Sequence, residues 1–326
     1  MAEYYPVKYW LKTFTLTNKK NKFNKSDAIQ CTVNAKAGDD VITVTRWVGS
    51  EINGGTGNDT ITLKDEATSL NTVHAGSGND VINVKKPIGA QNEIYGDAGN
   101  DKITFKGDEY SGNYNVLHGG AGNDTITVSA APILLNIYGD AGNDKISVTN
   151  KIGKVTYTSD STADPVIISG GAGNDTITVK GGCNHKIYSG TGTDTIKITN
   201  GSLHKIYLDS GKNKVNLTTS DVTLYTGKKS VDSITINWSK DRKNNGKCVI
   251  KTSKSLSEKS TYNDTLRIVG IKSSVFDFTY KNKTLVLSTN SQSKVMIENF
   301  LSSGFKAITF SDRTLSRAAL DRKAKL

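Results

Sequence analysis

The chain has 326 residues, 35% of them apolar, with 31 Gly and only 4 Pro. This excludes a large globular hydrophobic core and favours many tight turns between strands. No window approaches the roughly 18 consecutive apolar residues that cross a bilayer. Net charge is +11, distributed as +5 over residues 1–36, −7 over 37–209 and +13 over 210–326. An acidic middle that can hold cations therefore lies between basic ends that can touch anionic surfaces.

The first 34 residues read as an N-terminal cap or linker. Met1 to Ser26 is polar, lysine-rich and aromatic, without the apolar stretch of a cleaved signal peptide. Tyr4, Tyr5, Tyr9, Trp10 and Phe14 are placed to cover the first coil of the repetitive region; the alternative is a remnant of a longer upstream chain. Cys31, Cys183 and Cys248 are far apart and odd in number, so they read as incidental thiols rather than a disulfide framework.

Residues 35–227 are repetitive. Glycine loops end at Asp40, Asp59, Asp80, Asp101, Asp124, Asp144, Asp175 and Asp194, with a decayed copy at Asn213, at intervals of 19 to 23 residues and once 31. Two residues after this anchor stand Ile42, Ile61, Ile82, Ile103, Ile126, Ile146, Ile177, Ile196 and Val215, with a second apolar residue two further on. Seven residues before it runs another apolar column, from Ile52 and Val73 to Ile206. Period-two alternation on both sides of a glycine loop predicts two half-buried strands per coil of about 20 residues. One coil cannot bury its own apolar face, so the coils must stack. The expected fold is all-β, a parallel β-roll or β-helix solenoid. The 31-residue interval from Asp144 to Asp175 reads as a loop insertion within Lys154 to Asp164, or as a decayed glycine loop at Ser159 to Asp164 with a shift of register.

From residue 228 to 326 the repeat gives way to strands without loops, including Ser233 to Asn237, Cys248 to Thr252, Thr284 to Ser288 and Ala307 to Phe310, with a hairpin turn at Lys281-Asn282-Lys283. This is read as a C-terminal antiparallel β cap covering the last coil, and as a putative export region. Its tail, Arg317 to Leu326, is basic.

The loops, such as Gly54-Gly55-Thr56-Gly57-Asn58-Asp59-Thr60-Ile61-Thr62, resemble the nonapeptide G-G-x-G-x-D-x-U-x of the haemolysin-type (RTX) calcium-binding repeats of secreted bacterial proteins. The resemblance covers about residues 35–217. It implies Ca2+ held between loops of neighbouring coils by the carboxylates of Asp40, Asp59, Asp80, Asp101, Asp124, Asp144, Asp175 and Asp194. Asp97 and Asp140, from the two G-D-A-G-N-D loops, join this set. It further implies loop carbonyls from Gly55, Gly57, Gly76, Gly78, Gly99, Gly120, Gly122, Gly142, Gly171 and Gly173. The family repeats such loops every nine residues on both edges; here they recur about every 20, so one edge should bind, and the opposite turns share no ligands.

The chemistry agrees independently. Calcium takes 6–8 oxygens from carboxylates and carbonyls, glycine turns its carbonyl inward at φ > 0 without penalty, and Asn at the fifth loop position tolerates that region. Stacked carboxylates about 5 Å apart repel by on the order of 3 kcal/mol per pair at an effective dielectric near 20. Sites of about 10⁻⁴ M affinity in about 1 mM calcium each add roughly 1.4 kcal/mol, so five or six rival a domain's whole stability.

The sequence holds no H-E-x-x-H, G-x-S-x-G or phosphate-binding loop, which argues against an enzyme. His185 and His204, each nine residues before an anchor, are expected to stack as exposed polar residues. A column six before the anchor, including His74, Tyr95, His118, Tyr138, Tyr188 and Tyr207, should face outward. The functional expectation is calcium binding that drives folding of a secreted, extracellular bacterial module, toxin- or adhesin-like, non-catalytic and exported by type I secretion without a cleaved N-terminal signal. The alternative is a carbohydrate-active or surface-glycan-binding solenoid with structural calcium. Partners are calcium ions and a cell-surface glycan or host surface; nucleic acid is not expected.

Overall fold

The computed structural model describes residues 7–64, 69–85, 91–107, 114–129, 134–150, 166–218, 221–227, 230–239, 246–252, 264–290, 293–300 and 305–324. The described residues fall into two compact units, one ending at Ala172 and one beginning at Gly173.

The first unit is a parallel solenoid of two sheets. Sheet A stacks Tyr9–Trp10, Lys22–Ile29, Val41–Val48, Thr60–Lys64, Val81–Lys85, Lys102–Lys106, Thr125–Ser129 and Lys145–Thr149 in that order. Sheet B stacks Thr13–Thr15, Thr32–Asn34, Glu51–Thr56, Thr72–Ser77, Glu93–Ala98, Asn115–Ala121, Leu135–Ala141 and Ile167–Ser169. Registration follows the apolar columns. Ile61 pairs with Ile82, Ile82 with Ile103 and Ile103 with Ile126 on sheet A. Val73, Ile94 and Leu117 do the same on sheet B. All these side chains are fully buried. A buried Ile or Leu stabilises by about 1.5–3 kcal/mol, and this thin two-layer core is the main apolar term.

Two boundaries extend beyond the repeat. Lys22–Ile29 pairs in parallel with Val41–Val48, so winding begins ahead of the first glycine loop. Around it Phe14, Phe23 and Trp47 pack with ring centroids 5.1–6.3 Å apart, and Tyr9 meets Phe14 at 5.4 Å. Trp10 departs from expectation. It is 67% exposed, and its indole reaches Gln30 rather than the core, because it alternates out of phase with Tyr9. Tyr4 and Tyr5 lie outside the described residues. At the other boundary, Asn136, Ile137 and Tyr138 pair in register with Ile167, Ile168 and Ser169. Sheet B thus continues in register across the long interval; the segment 154–164, on which both readings of that interval turn, lies outside the described residues.

The second unit repeats the plan. Sheet A runs Thr176–Lys180, Thr195–Thr199, Lys214–Thr218, Ser233–Asn237, Thr265–Val269 and Ala307–Thr309, then turns antiparallel to Thr314–Ser316. Sheet B runs Lys186–Tyr188, His204–Tyr207, Val222–Thr226, Lys247–Thr252 and Lys294–Glu298, then antiparallel to Thr284–Ser288 and Asp277–Lys281. Asn282 and Lys283 both take positive φ, 50° and 63°, as a two-residue hairpin with the strands' twist requires. The parallel register therefore continues past residue 228 before the antiparallel strands close the end. The basic tail forms a short helix, Arg317–Lys323, started by the Ser316 hydroxyl, which accepts the Ala319 amide. Arg317 stacks on the Phe300 ring at 3.8 Å and donates to the carbonyls of Phe300 and Phe305, fixing the helix over the last winding.

The turn edge opposite the glycine loops is not featureless. Nine residues before their anchors, Asn71, Asn92 and Asn115 are fully buried. The amide of Ser50 donates to the Asn71 side chain, that of Asn71 to Asn92 and that of Asn92 to Asn115, at 3.0–3.2 Å. In the second unit His185 and His204 hold the same column. They stack at 4.9 Å as expected, but they are buried, not exposed: Nδ1 of His204 accepts the His185 amide, as an asparagine oxygen would. Burial lowers their pKa values to about 3 and about 4, so both stay neutral.

Replacing Asn92 by Ala leaves the Asn71 amide buried without its acceptor. The variant should lose about 1–3 kcal/mol in urea unfolding of the calcium-saturated protein. Unchanged stability would show that this ladder contributes nothing.

Candidate calcium site

Each anchor carboxylate turns inward, and the anchors are 0–2% exposed. Their Oδ1 atoms form a ladder: the amide of Asp40 donates to Asp59, Asp59 to Asp80, Asp80 to Asp101, Asp101 to Asp124 and Asp124 to Asp144, at 2.6–2.7 Å. In the second unit the Asp175 amide donates to Asp194 at 2.9 Å. The ladder is longer than the glycine loops. It begins with the Asn21 amide on Asp40 and, in the second unit, passes from Asp194 to Asn213, Asp232 and Asp264. The missed positions carried a legible signal, since Phe23, Ile234 and Leu266 stand two residues after Asn21, Asp232 and Asp264 just as the repeat isoleucines do.

A second ladder runs the other way. Asn58, Asn79, Asn100 and Asn123 accept the amides of Asn79, Asn100, Asn123 and Asn143 in the following winding, each at 2.7 Å. These asparagines are not at positive φ. Their role is to clasp neighbouring windings rather than to permit the turn, which the glycines do.

The glycines are required by close approach. Gly57, Gly78, Gly99, Gly122 and Gly142 have φ of 123–142°, and a Cβ on any of the last four would collide with the carbonyl oxygen of its counterpart one winding earlier. Gly55, Gly76, Gly120 and Gly171, at 103–108°, are equally confined. Carbonyl oxygens thus stand in columns between successive loops. Asp97 and Asp140 occupy this second glycine position at φ of 70° and 73°. Their carboxylates do not join the buried ladder. They turn to the outer face of sheet B, where Nδ1 of His74 contacts Asp97 at 3.2 Å and Nδ1 of His118 contacts Asp140 at 2.8 Å. What these two residues offer within the loop is their backbone carbonyl.

The second oxygen, Oδ2, is buried and without a protein donor in Asp40, Asp59, Asp80, Asp101 and Asp124. A buried carboxylate oxygen with no partner is costly unless protonated or met by a cation. Burial accordingly raises the pKa of Asp59, Asp124 and Asp194, that of Asp80 to about 6 and that of Asp101 to about 7, with neighbouring carboxylates adding to it for Asp80 and Asp101. Among the described residues no three acidic, His or Cys side chains converge as in a transition-metal cluster. One carboxylate per winding among peptide carbonyls is an all-oxygen donor set, which fits calcium.

The outer column is also as expected in place but not in surface. His74, Tyr95, His118 and Tyr138 stack at 4.7–5.0 Å, and Tyr188, Tyr207 and Tyr225 at 4.6–4.7 Å, within 14° of parallel. Tyr95, His118 and Tyr207 are stacked on both ring faces, and the rings at the ends of the two stacks on one.

Without metal, the raised carboxylates bind more protons folded than unfolded between about pH 4 and 7. Stability of the metal-free chain must therefore fall as pH rises through that window, with Asp80 contributing up to about 6 and Asp101 up to about 7. The Asp59 and Asp80 amides, which donate to Asp80 and Asp101, should exchange more slowly at pH 5 than at pH 7 once corrected for intrinsic rate, and calcium should remove the difference. Protection in chelator that is the same at both pH values would contradict the assignment.

A family profile described as RTX calcium-binding nonapeptide repeat (4 copies) matches residues 51–63, 70–84, 90–108, 111–130, 136–148 and 162–182. No curated protein is matched as a relative.

Proposed function

Since residues 51–182 carry RTX calcium-binding repeats, and such repeats bind Ca2+ in a β-roll, we propose that this chain is a secreted, non-catalytic module that calcium folds. The ions would sit between successive loops, against the Oδ2 atoms of Asp40, Asp59, Asp80, Asp101, Asp124, Asp144, Asp175 and Asp194 and the peptide oxygens of the loop glycines. Asp97 and Asp140 would contribute through their carbonyls. The bound ion supplies the positive charge that lets each buried carboxylate stay ionised. The chain's own part is to hold Oδ1 on a neighbouring amide and leave Oδ2 for the cation. The observation that carries this reading is the run of buried Oδ2 atoms without donors at Asp40, Asp59, Asp80, Asp101 and Asp124.

Coupling of folding to calcium suits an exported chain. Where calcium is scarce the carboxylates oppose stacking and the windings stay open; outside the cell the ions close them. A toxin- or adhesin-like scaffold exported by type I secretion fits this behaviour. No helix among the described residues is long and apolar enough to cross a membrane. A glycan-binding tyrosine stripe is the weaker reading, because the inner rings of the stacks, Tyr95, His118 and Tyr207, have both faces covered by neighbouring rings.

The test is circular dichroism during a calcium titration, with magnesium as control. β signal should appear with calcium alone. Asp101→Asn, which keeps the hydrogen-bond acceptor and removes the charge, should raise the calcium midpoint severalfold and lower the stoichiometry. A β spectrum in chelator equal to that in calcium would overturn the proposal.

A further inference from the structure

Within the first unit, the windings anchored at Asp59 to Asp144 carry opposite charge on their two outer faces, whereas the preceding winding places Lys36 on the sheet B side. From the winding anchored at Asp59 to that at Asp144, the described outward positions of sheet A include Lys64, Lys85, Lys102, Lys106 and Lys145 and no acid. Those of sheet B include Glu51, Glu93, Asp97 and Asp140 and no Lys or Arg. All five lysines and both glutamates are exposed, and the two aspartates are half-exposed. A merely solvated surface mixes signs. Protection of sheet edges does not explain the lysines either, since they lie on interior strands.

The charges also share one pattern. On sheet A they occupy two columns, one and five residues after the anchor; on sheet B, four and eight residues before it. Each pair of columns is four residues apart, about 13 Å along a strand. The inner columns flank the glycine loop and the outer ones the opposite turn. In the outer columns, Lys64 and Glu51 belong to the Asp59 winding, and Lys106 and Glu93 to the Asp101 winding. In the inner columns, Lys102 and Asp97 share the Asp101 winding, and Lys145 and Asp140 the Asp144 winding. Every acid thus shares its winding and its edge with a lysine on the other sheet.

We propose that sheet A of one molecule stacks on sheet B of a second copy of this chain, displaced without rotation, so that the four lysines meet the four carboxylates. A second copy is favoured over other anionic partners because its rungs, about 4.8 Å apart, match by construction, and because it accounts for the acidic face as well as the basic one. Two observations indicate that the charges are retained against a cost. Lys64, Lys85 and Lys106 are in register on adjacent strands, where like charges destabilise. Asp97 and Asp140 hold a left-handed backbone that glycine adopts freely in four other loops. Each carboxylate touches a histidine yet has lone pairs left for a lysine. A contact by translation is heterologous and does not close, so association should continue into stacks. The proposal rests on the calcium reading only in requiring folded windings.

The experiment is sedimentation velocity of the full chain in saturating calcium, with circular dichroism confirming that each sample is folded. The wild type should form concentration-dependent oligomers at low salt that dissociate in about 0.5 M NaCl, as screening demands. Lys64→Glu with Lys106→Glu, and separately Glu51→Lys with Glu93→Lys, lie away from the glycine loops and should each weaken association at least about tenfold. Mixing the two variants should restore it. Folded wild type that stays monomeric, variants that associate like wild type, or a mixture that does not recover would overturn the proposal. So would a monomer that instead binds anionic vesicles or an acidic polysaccharide through the lysines. Failure to fold in calcium would count against the calcium reading, not against the stacking.

Discussion

One buried carboxylate per winding, with a single oxygen satisfied by protein, is the constraint around which this structure is arranged. A carboxylate in a dry site either takes a proton or needs a cation. Asp80 and Asp101, pushed up to about 6 and about 7, show the pressure on the metal-free column. The neighbouring features result from accommodating it. Oδ1 is tied to the amide of the adjacent winding. The loop is glycine-rich because carbonyls must approach bare Cα atoms across windings. The apolar core is only two strands thick, so it cannot carry the stack against such repulsion alone.

The windings are also held by three side-chain ladders with different chemistry. Aspartates at the loop point backward along the stack, the fifth-position asparagines point forward, and the buried asparagines of the opposite turn point backward again. Adjacent windings are thereby clasped from both directions at the loop edge. In the second unit the opposite column is taken over by His185 and His204, and His204 accepts the His185 amide only while its Nδ1 is unprotonated. The two units therefore share a backbone plan but respond differently to acid. Protons relieve the aspartate column and strain the histidine pair.

Most of the fold is legible in the sequence because a period-two apolar pattern locked to a glycine loop admits few structures. Ile61, Ile82 and Ile103 at a constant offset from Asp59, Asp80 and Asp101 imply stacking in register, and that register is what the sheets show. Legibility fails where a residue's role depends on its neighbour one winding away. Asn71, Asn92 and Asn115 look like ordinary turn residues until stacking buries them. Asn58 and its counterparts read as permissive backbone positions, although their side chains bond the next winding. Asp232, with Gly227 alone before it, and Asp264, with no glycine, keep the aspartate and the apolar residue two positions on, so a search keyed on the full glycine loop passes over them. Asp97 and Asp140 sit in the loops by sequence, but a strand's alternation sends their side chains to the outer face.

The direct measurement of the central claim is a crystal structure of the calcium-loaded protein with anomalous scattering from the ion. Peaks should lie between successive glycine loops, within bonding distance of Oδ2 of Asp80 and Asp101 and of loop carbonyls, and recur at the spacing of the windings. Anomalous density that avoids those oxygens, in crystals grown with ample calcium, would contradict the account.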